Sequence, residues 1–224
     1  MTNDKNNGSP RIISLCGKGG VGKTSISALI TKILTEKDKS RVLAIDADPA
    51  LGLSIALDLK VNKTVNDIRN QLINELKSGS KLDKQTMLAR MDYEIFDAMA
   101  EKQNFAFLAI GRPESEGCYC QINDFLKDLI KEISWNFDYI IIDGEAGIEQ
   151  INRRVLEKVT HLLLVSDTSL KGAQIVESIS RVADNTLGAH AKGVLLNRIK
   201  PGEKIDNYFQ DTNLPLVGSL YEDE

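Results

Sequence analysis

Four glycines and two lysines are spaced as Gly17-Lys18-Gly19-Gly20-Val21-Gly22-Lys23-Thr24, and these residue types in this order can cradle phosphate. The apolar run Arg11 to Cys16 precedes them, and Ser25-Ile26-Ser27-Ala28-Leu29-Ile30 follows as a helix start. Strand, glycine-rich loop and helix together form the setting in which a GxxxxGK(S/T) pattern denotes a phosphate-binding loop. Gly17, Gly19, Gly20 and Gly22 present no Cβ, so neighbouring N–H groups can converge on phosphate oxygens. Ser25 opens the helix whose positive dipole end faces the same point. Lys23 is expected along the β- and γ-phosphates and the Thr24 hydroxyl on Mg²⁺. The competing reading, a glycine-rich turn that binds nothing, leaves the agreement of loop and flanks unexplained.

Lys18 follows the opening glycine, where an ordinary phosphate loop needs no charge. Its side chain is expected to point away from its own phosphates, either toward a nucleotide on a second subunit or into solvent. Asp143 ends the apolar run Tyr139 to Ile142 and is expected to face the loop, because ligands of open α/β sheets gather at the carboxyl ends of strands. It would hold a Mg²⁺ water, unless it only caps the next helix. Asp143-Gly144-Glu145-Ala146-Gly147 also has the DxxxG form of a nucleotide-sensing switch, with Gly147 as pivot. Asp46-Ala47-Asp48-Pro49 ends a second apolar run, expected beside the first strand. Asp46 is assigned to the Mg²⁺ shell; the plain alternative is a loop opening stiffened by Pro49.

Cys118 and Cys120 lie two apart, so in an extended loop a slight twist brings both thiolates to one metal ion. One chain supplies two sulfurs where a closed tetrahedral site wants four, and a two-fold dimer supplies the other pair. Two reduced, unliganded cysteines are the alternative; a disulfide across one residue is strained.

The GKGGVGKT loop resembles the deviant Walker A group, the MinD, ParA and nitrogenase iron protein ATPases, in which the early lysine reaches across a nucleotide-sandwich dimer. The resemblance implies a Mg²⁺-dependent ATPase (ATP and water to ADP and phosphate) that dimerises around ATP, with Lys18 catalytic. It implies that Asp48 orients or deprotonates the attacking water and that Asn197 holds the adenine edge. The lack of an NKxD element agrees with ATP over GTP. Gly111, Arg112, Pro113, Glu114, Gly117, Cys118 and Cys120, then Asp143, Glu145, Ala146, Gly147, Arg153 and Arg154, resemble the nickel-insertion ATPases of the CooC and AcsF type. Those mature carbon monoxide dehydrogenase and acetyl-CoA synthase. The likeness spans roughly Ile12 to Leu220. It implies a metallochaperone holding Ni²⁺ (or Zn²⁺ adventitiously) at the dimer seam and a nickel enzyme as client; neither nucleic acid nor membrane is expected as partner, because no basic patch and no amphipathic C-terminal helix is visible. The nitrogenase iron protein takes one cluster cysteine from this loop and one after the Asp143 strand; residues 143–160 here contain none, so that arrangement is excluded. Relatives usually continue past the last strand, so with the sequence stopping at Glu224 part of the adenine pocket is expected to be missing. The alternative functions are a MinD- or ParA-like positioning ATPase and an electron-transferring iron–sulfur ATPase.

These residues need a scaffold, and the chain alternates apolar runs with helical patterns, the signature of a mostly parallel sheet covered on both faces. The expectation is one α/β domain with about seven strands flanked by helices, at 11–16, 41–46, 105–110, 137–143, 161–166, 193–199 and 215–220. Helices are expected from the phosphate loop to 36, then over 64–77, 122–133, 149–158 and 170–187, with 81–103 polar and helical in part. Residues 1–10 read as a disordered lead-in, and 11–224 as the ATPase domain with the metal loop at 111–120. A length of 224 residues suits a single core. Net charge −4 argues against a general nucleic-acid surface. No apolar run approaches the ~20 residues of a membrane span, and the polar N-terminus lacks a signal-peptide core, so a cytoplasmic protein is expected. Three cysteines make no disulfide framework, and Cys16 reads as core. His161 and His190 lack partners at ligand spacing, Trp135 and Tyr139 read as structural, and Ile68/Leu72/Leu76 as a packing stripe.

Overall fold

The computed structural model describes residues 9–78, 84–102, 104–112, 128–144, 159–186, 191–203, 205 and 214–222. In chain order the elements are β1 (Arg11–Gly17), α1 (Lys23–Glu36), β2 (Val42–Asp46), α2 (Gly52–Ala56), α3 (Val65–Lys77) and α4 (Lys84–Ala98). They continue with β3 (Ala100–Lys102), β4 (Phe105–Ala109), β5 (Tyr139–Asp143), β6 (His161–Ser166), α5 (Leu170–Thr186), β7 (Ala191–Ile199) and β8 (Leu216–Tyr221). The chain is also helical over 128–134. The expected lead-in at 1–8, most of the metal loop (113–120), the first part of the helix expected at 122–133, and the helix expected at 149–158 lie outside the described residues.

One eight-stranded sheet runs in the order β3-β4-β2-β5-β1-β6-β7-β8, and every pairing is parallel except β3 with β4. The continuous apolar runs follow from burial on both faces. Along β5, Ile140 and Ile142 join one core cluster while Ile141 joins another, the alternation that a pleat imposes. The larger cluster gathers Ile68 and Leu72 of α3, Met91 and Ile95 of α4, and Val176 of α5 against one face. Cys16 belongs to it, with no exposed surface, and burial raises its thiol to about 11. Ile26 of α1 closes the opposite face against Leu15, Val42 and Val165.

Two expectations need correction. β2 does not lie beside β1: β5 is inserted between them, paired in parallel with both. All three strands are mainly apolar runs, so their pattern carries no record of which neighbours which. The sheet also has an eighth strand, Ala100–Lys102, in the segment expected to be polar and partly helical; it is held by backbone pairing to β4 and has no hydrophobic alternation to announce it.

Candidate nucleotide site

The topology brings three strand ends together below the glycine loop. In the parallel register Asp46 stands opposite Asp143, and Asp143 opposite Leu15 two residues before Gly17. The inserted β5 therefore puts the Asp143 carboxylate between the loop and Asp46. Gly17 needs its missing side chain: a Cβ would stand 2.1 Å from the Val165 carbonyl oxygen of β6. Lys23 is nearly buried, and its ammonium donates to the carbonyls of Gly17 and Lys18, 3.2 Å each. Gly19, Gly20, Gly22, Lys23, Thr24, Asp48 and Arg198 line a cleft of about 480 Å³.

Two buried carboxylates, Asp143 and Asp46, stand beside the lining residues Thr24 and Asp48. Asp143 is 1% exposed; Ser27 donates its hydroxyl to Oδ1 at 3.2 Å, while Oδ2 is buried with no hydrogen-bond partner. Burial pushes the Asp143 carboxyl above its ordinary range, and the Thr24 and Ser27 hydroxyls offset only part of this. Asp46 is fully buried, and its oxygens accept the N–H groups of Asp48 (3.1 Å) and Leu53 (2.9 Å). Burial raises it to about 6, against the lowering by the Asp48 N–H. An orphaned buried acceptor beside a second carboxylate and a threonine hydroxyl is a donor set suited to a hard divalent cation, whose charge would restore both acids to the ionised form.

Asp48 opens the turn that follows. Its carboxylate accepts the Ala50 N–H at 2.9 Å, and Leu51 then adopts φ 54, a left-handed backbone uncommon for a branched side chain. Strain of this kind persists where the surroundings impose it; α2 begins immediately after, with Gly52 packed beside Thr24. Lys18 turns away from the cleft to Asp167 at the end of β6, 3.0 Å from Oδ2. Burial would raise Asp167, but the Ser169 hydroxyl and N–H and the Lys18 ammonium hold it below the ordinary range. Both side chains are about one-third exposed (32% and 28%), so the pair is worth under about 1 kcal/mol. Asn197 ends up under the loop: its Nδ2 donates to the Val21 carbonyl at 2.8 Å. Arg198 beside it has φ 59 and lines the cleft.

A family profile described as an AAA domain matches residues 10–190. An uncharacterised ATP-binding protein of Methanocaldococcus jannaschii is 36% identical over 93% of this chain and 83% of its own length. The chain belongs to this family. Among solved structures, the ParA family ATPase of Chlorobium tepidum superposes with a TM-score of 0.69 at 20% identity, covering 97% of this chain and 86% of that one. MinD of Pyrococcus horikoshii, complexed with Mg-ADP, gives 0.68 at 24% identity, covering 96% and 82%. The carbon monoxide dehydrogenase accessory protein CooC of Rhodospirillum rubrum is 26% identical over 93% of this chain and 82% of its own.

As a member of the AAA-domain family with the MinD and ParA fold, the chain is an ATP-binding P-loop ATPase. In it Gly19, Gly20 and Gly22 join Lys23 and Thr24, the first residues of α1, in lining the cleft with Asp48, Ser25 continues α1, and Asp46 stands opposite Asp143 at the neighbouring strand ends. The residues that fit Mg²⁺ are Thr24, Asp46 and Asp143, and the ion would supply positive charge to the phosphates there. Cys118 and Cys120 lie outside the described residues, as do Glu145 and Gly147. Three contributors escaped the sequence reading. Ser27 was legible, being three residues after Thr24 and so on the same helix face. Asp167 directly follows the carboxyl end of a strand, where site residues gather. Arg198 carried no signal beyond adjacency to Asn197. Among the described residues no helix is long and apolar enough to cross a membrane.

Proposed function

We propose that the protein is an ATP-dependent metallochaperone that closes as a homodimer around ATP, holds nickel through Cys118 and Cys120 of both copies, and passes it to an enzyme of the carbon monoxide dehydrogenase or acetyl-CoA synthase type. The observation that carries this reading is the run Gly111 to Cys120 with its CxC pair, in a chain similar over almost its whole length to a carbon monoxide dehydrogenase accessory protein. The described start of that run supports it, because Gly111 lies two residues after β4 and β4 pairs with the strand that ends in Asp46.

In this reading Lys23 and the loop N–H groups bind the phosphates, and the residue after the Asp46 strand that can accept a proton from water, Asp48, positions it for attack. Lys18 leaves Asp167 for the nucleotide of the partner copy, which the weakness of that exposed pair permits. Asn197 holds the loop through Val21 and offers its remaining amide capacity to adenine. Changing both Cys118 and Cys120 to alanine is expected to abolish stoichiometric nickel binding by the ATP-bound dimer while leaving ATP binding intact, measured by elemental analysis and equilibrium dialysis. Nickel retained at full stoichiometry would overturn the metal role.

The likeness to MinD and ParA structures favours a second reading, a positioning ATPase that acts on a membrane or DNA. Co-sedimentation with liposomes or DNA in the presence of ATP separates the two; ATP-dependent pelleting with either, and no nickel bound, would select the second.

A further inference from the structure

We infer that Arg198 is a phosphate ligand of the ATP cleft, its guanidinium aimed at the nucleotide of its own subunit by a bulge built into β7. Only the P-loop ATPase already described is needed for this role, and the nickel reading is not. The bulge shows in the strand register. Leu196 pairs with Ser219 and Ile199 with Tyr221, so β7 takes three steps where β8 takes two. One extra residue in a strand re-aims the side chains beside it, and such bulges gather next to active sites. Arg198 lies within it at φ 59, a left-handed backbone that glycine adopts freely and arginine does not.

An unbulged pleat would send this side chain elsewhere. Along β7, Val194 joins the larger core cluster and Leu195 the cluster under α1, so successive side chains alternate between the two faces. Asn197 falls on the α1 side, where its Nδ2 donates to the Val21 carbonyl at 2.8 Å. Regular alternation would carry Arg198 to the opposite face, away from α1. Instead it lines the cleft with Lys23, Thr24 and Asp48. Its neighbours hold it there. Asn197 is tied to the loop, while Ile199 is fully buried and its carbonyl accepts the Glu222 N–H at 2.9 Å. Backbone strain fixed from both sides in this way is a mark of ligand sites.

Charge says what the ligand is. Lys18 is turned to Asp167, and the nearly buried Lys23 ammonium donates to the carbonyls of Gly17 and Lys18. Arg198 is exposed, and among the described residues its guanidinium has no hydrogen-bond or ion-pair partner, although Asp48 lines the same cleft. An arginine kept only for solubility would need neither a bulge nor a left-handed backbone. A planar guanidinium matches two phosphate oxygens at once and keeps its charge at any working pH. The ligand is a nucleoside di- or triphosphate, gripped by its phosphates rather than its base.

The experiment uses the full chain and its Arg198→Ala, Arg198→Gly, Arg198→Lys and Lys200→Ala variants. Affinities for Mg-ADP, Mg-GDP and a non-hydrolysable ATP analogue are measured by titration calorimetry, with melting temperatures followed in parallel. Arg198→Ala and Arg198→Gly are expected to bind ADP and the analogue about tenfold or more weakly than the wild type. Arg198→Lys is expected to recover part of that loss, because the charge stays and the fork goes. The ratio of ADP to GDP affinity is expected to stay within about twofold of the wild type throughout, since the two share their phosphates. Arg198→Gly suits the left-handed backbone, so it is expected to melt above Arg198→Ala while binding no better. Lys200→Ala removes the same charge outside the cleft and is expected to bind as the wild type does. Should Arg198→Ala fail to fold, Arg198→Gly carries the same expectation. Unchanged affinities in the Arg198 variants, an equal loss in Lys200→Ala, or wild-type binding by Arg198→Gly would each overturn the phosphate contact and leave the ATPase standing. A change confined to the ADP to GDP ratio would overturn it too, by placing the guanidinium on the base. A wild type that binds no ADP overturns the nucleotide cleft itself.

Discussion

Asp46 and Asp143 show what burial does to an acid that is waiting for a counter-charge. Both are raised chiefly by desolvation, Asp46 to about 6 from an ordinary 3.8. A folded-state value above the unfolded one means that, between roughly pH 4 and 6, the folded protein keeps a proton the unfolded chain has lost. Asp46 therefore costs stability as pH rises through that window, by up to about 3 kcal/mol for a shift of this size. Urea unfolding of the nucleotide-free protein is expected to show the Asp46→Asn variant gaining on the wild type from pH 4 to 6.5 and running parallel above it. The absolute offset between the two carries no test, because asparagine cannot accept both the Asp48 and Leu53 N–H groups as the carboxylate does. Parallel curves throughout would mean that Asp46 titrates as an ordinary acid.

At the scale of elements, the phosphate loop is held by its neighbours more than by itself. Val21 is braced from β7 through Asn197, Gly17 is pressed on β6, and Asp143 of β5 reaches α1 through Ser27. Glycines that look equivalent in the sequence therefore differ in cost. Gly17→Ala forces a Cβ to within 2.1 Å of a backbone oxygen that cannot swing away, whereas a Cβ on Gly19 meets nothing within 4 Å. Denaturant unfolding is expected to find Gly17→Ala destabilised by about 3 kcal/mol or more and Gly19→Ala changed by no more than about 0.5 kcal/mol. Equal losses at the two positions would show that β1 and β6 separate more easily than their backbone contact implies.

For the whole molecule, the proposed dimer turns on the Lys18–Asp167 pair. The pair keeps the early lysine outside its own cleft at little energetic cost, so a partner's triphosphate can compete for it. Analytical ultracentrifugation with a non-hydrolysable ATP analogue is expected to give a dimer for the wild type and a monomer for Lys18→Ala, with ATP still bound by both. A dimer of undiminished affinity in the variant would place the lysine elsewhere in the cycle.

Much of this arrangement was written in the chain itself. The loop from Gly17 to Thr24 carries its pattern in residue types at fixed spacing, and Asp46 and Asp143 stand out as the polar ends of apolar runs, because a strand buried on both faces turns polar where it reaches its carboxyl end. The metal role of Cys118 and Cys120 is a reading from spacing and resemblance. Tertiary structure alone decided that β5 lies between β1 and β2, that Lys18 meets Asp167 and that Asn197 braces Val21. Each of these joins residues far apart in the chain, and neither hydrophobic period nor local propensity encodes which buried strand stands next to which.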